Sequence, residues 1–147
     1  MDDGDLALRN TTYAVFARLG RAPTTAEISA ETGRAEPDVR AAWERLHEQH
    51  ALVLDAETRE IRMANPFAAK ATDFRVEAAG RAWFANCGWD AFGIGAALHV
   101  DSEFDTHCAD CGEALHVTMR DGRPEPADLL WHVLVPAPQW WTDIGFT

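Results

Sequence analysis

Three helical patterns followed by a pair of short apolar runs occupy the amino-terminal half of the chain, and this order limits the fold more than any other feature. Apolar residues recur at loosely helical intervals from Leu6 to Leu19, and Gly20 is a typical helix stop. Thr24 and Glu27 have the spacing of a capping box, which predicts the start of a second helix. A third helix is predicted to begin near Pro37 and to present one apolar face, formed by Val39, Ala42, Trp43 and Leu46.

The two apolar runs, Leu52–Leu54 and Ile61–Met63, flank a polar turn and predict a β-hairpin. Three helices and a hairpin are the order of a winged-helix domain, which we place at residues 1–66. Many such domains bind DNA, but residues 25–49 carry six acidic side chains against three arginines, and the whole chain has a net charge of −11. Because acidic surfaces repel phosphate, we expect no nucleic-acid partner and a structural or substrate-covering role for this domain.

Residues 67–147 have a different sequence pattern, dominated by strand-like segments, and predict a second domain built on a mixed or antiparallel sheet. After an alanine-rich connector that runs to Thr72, a helix is predicted from Ala91 to Leu98. Four segments are strand-like: Phe74–Val76, Ala82–Phe84, Leu115–Met119 and Leu130–Val135. The sequence therefore predicts an α+β protein.

The length of the apolar runs and the number of cysteines indicate the cellular compartment. No run approaches the roughly 18 apolar residues of a membrane span, and the acidic amino terminus lacks the features of a signal peptide. Three cysteines are too few, and odd in number, for a disulfide framework. We expect a cytoplasmic monomer without a membrane partner, whose thiols are available for chemistry or metal binding.

Cys87 and Asp90 are the first candidate site residues. They stand three residues apart where a strand-like segment gives way to the predicted helix, so one helical turn places both side chains on one face. A thiol at a helix amino terminus has its thiolate favoured by the helix dipole, and thiolates are nucleophiles and soft-metal ligands. The same spacing also occurs where a buried cysteine simply precedes a helix-starting aspartate, so spacing alone leaves both interpretations open.

Cys108 and Cys111 form a Cys-x-x-Cys-Gly pattern that looks like half of a zinc knuckle. A structural zinc site normally needs four ligands. His107 or His116 could add to the pair, but the chain has no second Cys-x-x-Cys, and the βαβ context of a thioredoxin-like redox motif is missing. The pattern favours a turn with two partly buried thiols, and the two cysteines remain weaker candidate metal ligands.

The segment from Arg81 to Ile94, R-A-W-F-A-N-C-G-W-D-A-F-G-I, resembles the signature of the alkylmercury (organomercurial) lyases. In that family an aromatic segment precedes Cys-x-x-Asp and an apolar helix follows. His107-Cys108 before a glycine-containing turn resembles a further landmark of the family. The acidic helices agree as well, because the family's winged-helix-like unit does not bind DNA. The resemblance spans roughly the whole chain.

The resemblance implies a detoxifying lyase that cleaves carbon–mercury bonds by protonolysis and yields a hydrocarbon and Hg(II). It implies a small organomercurial substrate, no cofactor, and external thiols for release of the metal. Cys87 would bind mercury, a soft metal that prefers thiolate. Asp90, partly desolvated beside the thiol, would supply the proton.

The family's second mercury-binding cysteine follows a stretch similar to residues 140–147, where this chain stops. We therefore expect a longer native chain, a substitute thiol or a lost lyase reaction. Two alternatives stay open. One is a non-catalytic thiol-based metal or organometal binder that uses Cys87, Cys108 and Cys111, and the other is a metal-responsive winged-helix regulator.

Overall fold

The computed structural model describes residues 1–145 and begins with three helices whose ends follow local capping signals. Helix α1 spans Asp3–Leu19, α2 spans Thr25–Thr32 and α3 spans Glu36–Glu48. The first helix starts earlier than its apolar pattern suggests because the Asp2 side chain caps it, accepting a hydrogen bond from the Asp5 backbone N–H at 2.7 Å. The capping box that begins α2 is present, as predicted.

The helices pack around Trp43, which is fully buried. Its indole N–H donates a hydrogen bond to Thr12 Oγ1 at 3.1 Å, so the buried polar atoms are satisfied. Asp5 is also buried, and Arg45 of α3 binds its carboxylate with two hydrogen bonds of 2.6 and 2.8 Å. These contacts join α1 to α3.

Across residues 1–145, one antiparallel sheet contains eight strands, in the order β1-β2-β3-β5-β4-β6-β7-β8. The strands are β1 Val53–Leu54, β2 Ile61–Ala64, β3 Phe67–Ala68, β4 Arg75–Ala78, β5 Arg81–Ala85, β6 Ser102–His107, β7 Ala114–Arg120 and β8 Arg123–Glu125. The predicted hairpin is β1–β2. Strand β3, which lies in the segment predicted to be a connector, pairs with both β2 and β5 and joins the hairpin to the later strands. The α+β fold is confirmed, whereas the division into domains 1–66 and 67–147 stays a prediction.

Helices α1 and α4 both pack against this sheet. Helix α4, Gly88–Leu98, begins three residues before its predicted start. Phe92 of α4 meets Phe104 of β6 edge to face, with ring centroids 5.3 Å apart. On α1, Phe16 stacks on Phe67 at 5.1 Å, and the Ala17 carbonyl accepts a hydrogen bond from the Trp83 indole at 3.2 Å.

The prediction of a strand at Leu130–Val135 is wrong. This segment is irregular and leads into a short 3₁₀ helix, Ala137–Thr142. The apolar side chains of this segment do not face a core, since Leu130 and Leu134 are 98% and 77% exposed. Instead of pairing with a strand, the segment crosses the amino end of α4 and stacks Trp131 on Trp89.

Within residues 1–145, no helix is long and apolar enough to cross a membrane.

Candidate functional site

Cys87 and Asp90 lie at the junction between an inner strand and a helix. Strand β5 ends at Ala85, Cys87 is the N-cap residue of α4, and Asp90 is in the first turn of that helix. The Cys87 carbonyl accepts the first helical hydrogen bond, from the Ala91 N–H at 3.0 Å. The junction therefore brings the two predicted side chains together at one end of the sheet.

The Asp90 side chain is buried, and burial raises the pKa of its carboxyl group above the ordinary value. One hydrogen bond opposes this shift, from Asn86 Nδ2 to Asp90 Oδ2 at 2.9 Å. The net shift is upward, so the protonated form of Asp90 persists to a higher pH than that of an exposed aspartate. A protonated carboxyl group can donate a proton to a reacting atom.

Burial also raises the pKa of the Cys87 thiol. The backbone N–H groups of Asp90 and Trp89 face the sulfur and lower the pKa in part, whereas the charge of ionised Asp90 raises it further. The net shift of the Cys87 pKa is opposite in direction to the helix-dipole contribution expected from the sequence, because desolvation is the largest of these effects. Binding of a soft cation would displace the thiol proton.

A cavity of about 150 Å³ adjoins Cys87. The irregular carboxy-terminal segment supplies the rest of its wall, which is mainly apolar and consists of Trp131, His132, Val133, Leu134, Val135 and Trp140. Trp131 is held over the helix start by stacking on Trp89, with ring centroids 4.9 Å apart. The sulfur thus faces space suited to an apolar group attached to a soft atom.

Sequence comparison matches residues 67–147 to the family model described as alkylmercury lyase. This chain belongs to the alkylmercury lyase family. The Cys-x-x-Asp resemblance noted in the sequence is thereby confirmed at the level of the family. A comparison with curated proteins finds no match.

Among solved structures, this family member is similar to a crystal structure of the mercury-bound form of MerB2. The two share 24% sequence identity with a TM-score of 0.67, which supports a common fold. The match covers 86% of this chain and 62% of the MerB2 chain, so this protein spans less than two thirds of its structural relative.

Asn86 is a polar neighbour of the site that the sequence analysis missed. Besides Asp90, its side-chain amide reaches the carbonyl oxygens of Pro66 and Phe67 at 3.5 and 3.4 Å. In this alkylmercury lyase family member, Asn86 therefore links the acid to strand β3. Its place just before the N-cap residue Cys87 was the available signal, because a polar side chain there can reach back to the first turn of the helix.

Cys108 and Cys111 lie apart from this junction, in the turn between β6 and β7. Cys108 is partly exposed and Cys111 is exposed, so the expectation of two partly buried thiols holds only for the first. Within residues 1–145, no group of three or more histidine, cysteine or acidic side chains is arranged to hold a metal ion. His116, considered as a further ligand, is paired instead with Asp105 at 2.8 Å.

Proposed function

We propose that this protein cleaves carbon–mercury bonds of small organomercurials by protonolysis, with Cys87 as the mercury ligand and Asp90 as the proton donor. The observation that carries the proposal is a buried acid with a raised pKa, one helical turn from a partly buried cysteine that lines a mainly apolar cavity. Membership of the alkylmercury lyase family supports the same chemistry.

Capture comes first. The Cys87 sulfur bonds to mercury of R–Hg⁺ and releases its proton, because metal binding stabilises the thiolate form. The organic group R is accommodated by the apolar wall that Trp131 and Val133 help to form. An external thiolate supplies a second sulfur, and donation from two sulfurs increases the negative charge on the carbon bound to mercury.

Asp90 then completes the reaction. Its proton passes to the carbon, the carbon–mercury bond breaks, and the bonding electron pair becomes the new C–H bond of the hydrocarbon. Mercury remains as Hg(II) on sulfur, and Asp90 remains as a carboxylate. This scheme needs no cofactor and no nucleic-acid partner. We propose that the enzyme acts as a monomer in the cytoplasm, where external thiols would remove Hg(II) from it.

The test separates an enzyme from a protein that only binds organomercurials, because both need the thiol but only the enzyme needs the acid. The purified chain is incubated with phenylmercury and excess monothiol, and benzene is measured by gas chromatography. Asp90→Asn should lower the rate by about 10²–10⁴-fold, the usual contribution of a general acid, while phenylmercury binding stays nearly intact. Asp38→Asn is the matched control, since Asp38 lies in the first turn of α3 and is exposed.

Cys87→Ser should abolish stoichiometric capture of phenylmercury at low thiol concentration. Equal benzene release by the wild-type and Asp90→Asn proteins would remove the acid from the mechanism. Capture by Cys87 without benzene release from the wild-type protein would leave the binding protein as the better description.

A further inference from the structure

The turn that joins β6 to β7 contains two cysteines, Cys108 and Cys111, and its backbone is held by hydrogen bonds. The last strand pair is His107 with Ala114, and the turn is closed by two backbone hydrogen bonds, from Cys108 N to Glu113 O at 2.8 Å and from Gly112 N to Cys108 O at 2.9 Å. The Cys108 sulfur accepts hydrogen bonds from the backbone N–H groups of Asp110 and Cys111 and from the Cys111 thiol. The two sulfurs are therefore neighbours.

The donor set of this turn suits one kind of metal ion. Zinc and other borderline ions take four ligands in structural sites, and residues 1–145 offer no third ligand near the pair. Hg(II) is soft, prefers thiolate, and is commonly satisfied by two thiolates in linear coordination. Both cysteines are free thiols, and Cys111 is exposed to incoming metal.

The strand register places this turn at the same end of the sheet as Cys87. Trp83 of β5 and Phe104 of β6 both pair with Val76 of the intervening strand β4. Cys87 follows Trp83 by four residues, and Cys108 follows Phe104 by four residues in the same direction. Because β5 and β6 run in the same direction on either side of β4, Cys87 and Cys108 follow their strands at the same end of the sheet.

From this geometry we infer that Cys108 and Cys111 form a second thiol site, which takes Hg(II) from Cys87 after carbon–mercury cleavage. The inference rests on the proposed function only for the source of the metal. Sulfur ligands exchange at mercury without any change of oxidation state. A second external thiol replaces Cys87 on the metal and gives its proton to the Cys87 sulfur, which leaves Hg(II) bound to two external thiolates. Cys108 and Cys111 then replace these two thiolates, and each cysteine gives its proton to the thiol that departs. Cys87 is left as a thiol that can accept new substrate.

The first test uses Hg(II) chloride and the full chain carrying Cys87→Ser, so that lyase activity is not involved. This variant should bind one Hg(II) per chain, with a sulfur-to-mercury charge-transfer band and protection of Cys108 and Cys111 from alkylation. Adding Cys111→Ser should lower by at least ~10²-fold the monothiol concentration that removes half of the metal, because the second sulfur binds as an intramolecular ligand. Ala109→Ser is the matched control, since it changes the same turn and leaves both thiols.

The second test follows transfer in the wild-type chain. After turnover of substoichiometric phenylmercury, alkylation and mass spectrometry should find Cys108 and Cys111 protected and Cys87 free. Mercury retained on Cys87, or equal retention of Hg(II) with and without Cys111, would overturn the inference. Cys111→Ser should still capture phenylmercury and release benzene in excess thiol, so failure of the proposed lyase reaction would appear separately, as a wild-type protein that releases no benzene.

Discussion

Gly95→Ala tests the close contact that positions α4, the helix whose amino end carries Cys87 and Asp90. A methyl group at position 95 would lie 2.4 Å from Ser102 Oγ and 3.1 Å from both Ser102 Cβ and the Val100 carbonyl oxygen. Overpacking costs about 1–3 kcal/mol, and the 2.4 Å approach places this case in the upper part of that range, at about 2–3 kcal/mol, while alanine in a helix interior gains about 1 kcal/mol over glycine. We expect a net loss of about 1–2 kcal/mol, or a Tm lower by about 2–8 °C for a chain of this size.

Ser102→Ala provides the partner measurement. The Ser102 hydroxyl is buried without a hydrogen-bond partner in the structure, so its removal should be neutral or stabilising by up to about 1 kcal/mol. It also removes the 2.4 Å contact, and the double variant should therefore be more stable than the sum of the single effects by about 1 kcal/mol. Urea and thermal unfolding measure these values. Gly93→Ala, whose nearest contact would be 3.2 Å from Pro66, should be more stable than Gly95→Ala. A Gly95→Ala protein as stable as the wild type, or strictly additive effects, would refute the packing argument.

Three further predictions follow from single contacts. Asn86→Ala removes the hydrogen bond that lowers the Asp90 pKa, so the pH above which benzene release declines should move upward in a pH–rate profile; a downward shift would contradict the role of Asn86. Asp5→Asn removes a carboxylate that binds Arg45, and the hydrogen bonds from Arg45 hold the pKa of Asp5 below its ordinary 3.8. This substitution should lower the free energy of unfolding by about 1–3 kcal/mol at neutral pH. Because a carboxyl group with a lowered folded-state pKa stabilises the fold above its ordinary pKa and loses that effect as pH falls, the cost should shrink in acid; urea unfolding from pH 7 to pH 3 measures it, and a cost that grows in acid would be the wrong sign. Finally, elemental analysis should find substoichiometric zinc and chelator should not unfold the chain, whereas one zinc per chain would show a closed zinc site at Cys108 and Cys111.

Helix ends and the first hairpin were predictable because their signals are local. Thr24 and Glu27 satisfy each other within one turn, and Gly20 adopts the left-handed conformation that ends α1. Strand β3 was not predictable in the same way, since two residues gain their strand character only from partners in β2 and β5. Residues 130–135 show the converse case. Their sequence has a strand-like pattern, but they form no strand because the segment packs on α4 instead.

The Cys-x-x-Asp pattern indicated that Cys87 and Asp90 would lie together at a helix start, but it did not indicate the direction of the Cys87 pKa shift. The sequence indicates that Cys87 lies near a helix terminus, and a terminus alone favours the thiolate. Partial burial raises the pKa of Cys87, and the residues that share its cavity, among them Trp131, lie more than 40 positions along the chain, where no local pattern could place them. Asn86 illustrates the same limit, because its contacts with Pro66 and Phe67 depend on how β3 and β5 meet.

The shared sheet has a consequence for cooperativity. Trp83, four residues before Cys87, donates its indole hydrogen bond to α1, and Phe16 of α1 stacks on Phe67 of β3. Opening the amino-terminal helices would therefore expose the inner strands that hold the junction at Cys87, as well as the helical core. From these contacts we expect the helices to unfold in the same cooperative unit as the thiol and the acid. The amino-terminal residues thus contribute to the lifetime of the assembled site even where they touch none of its reacting groups.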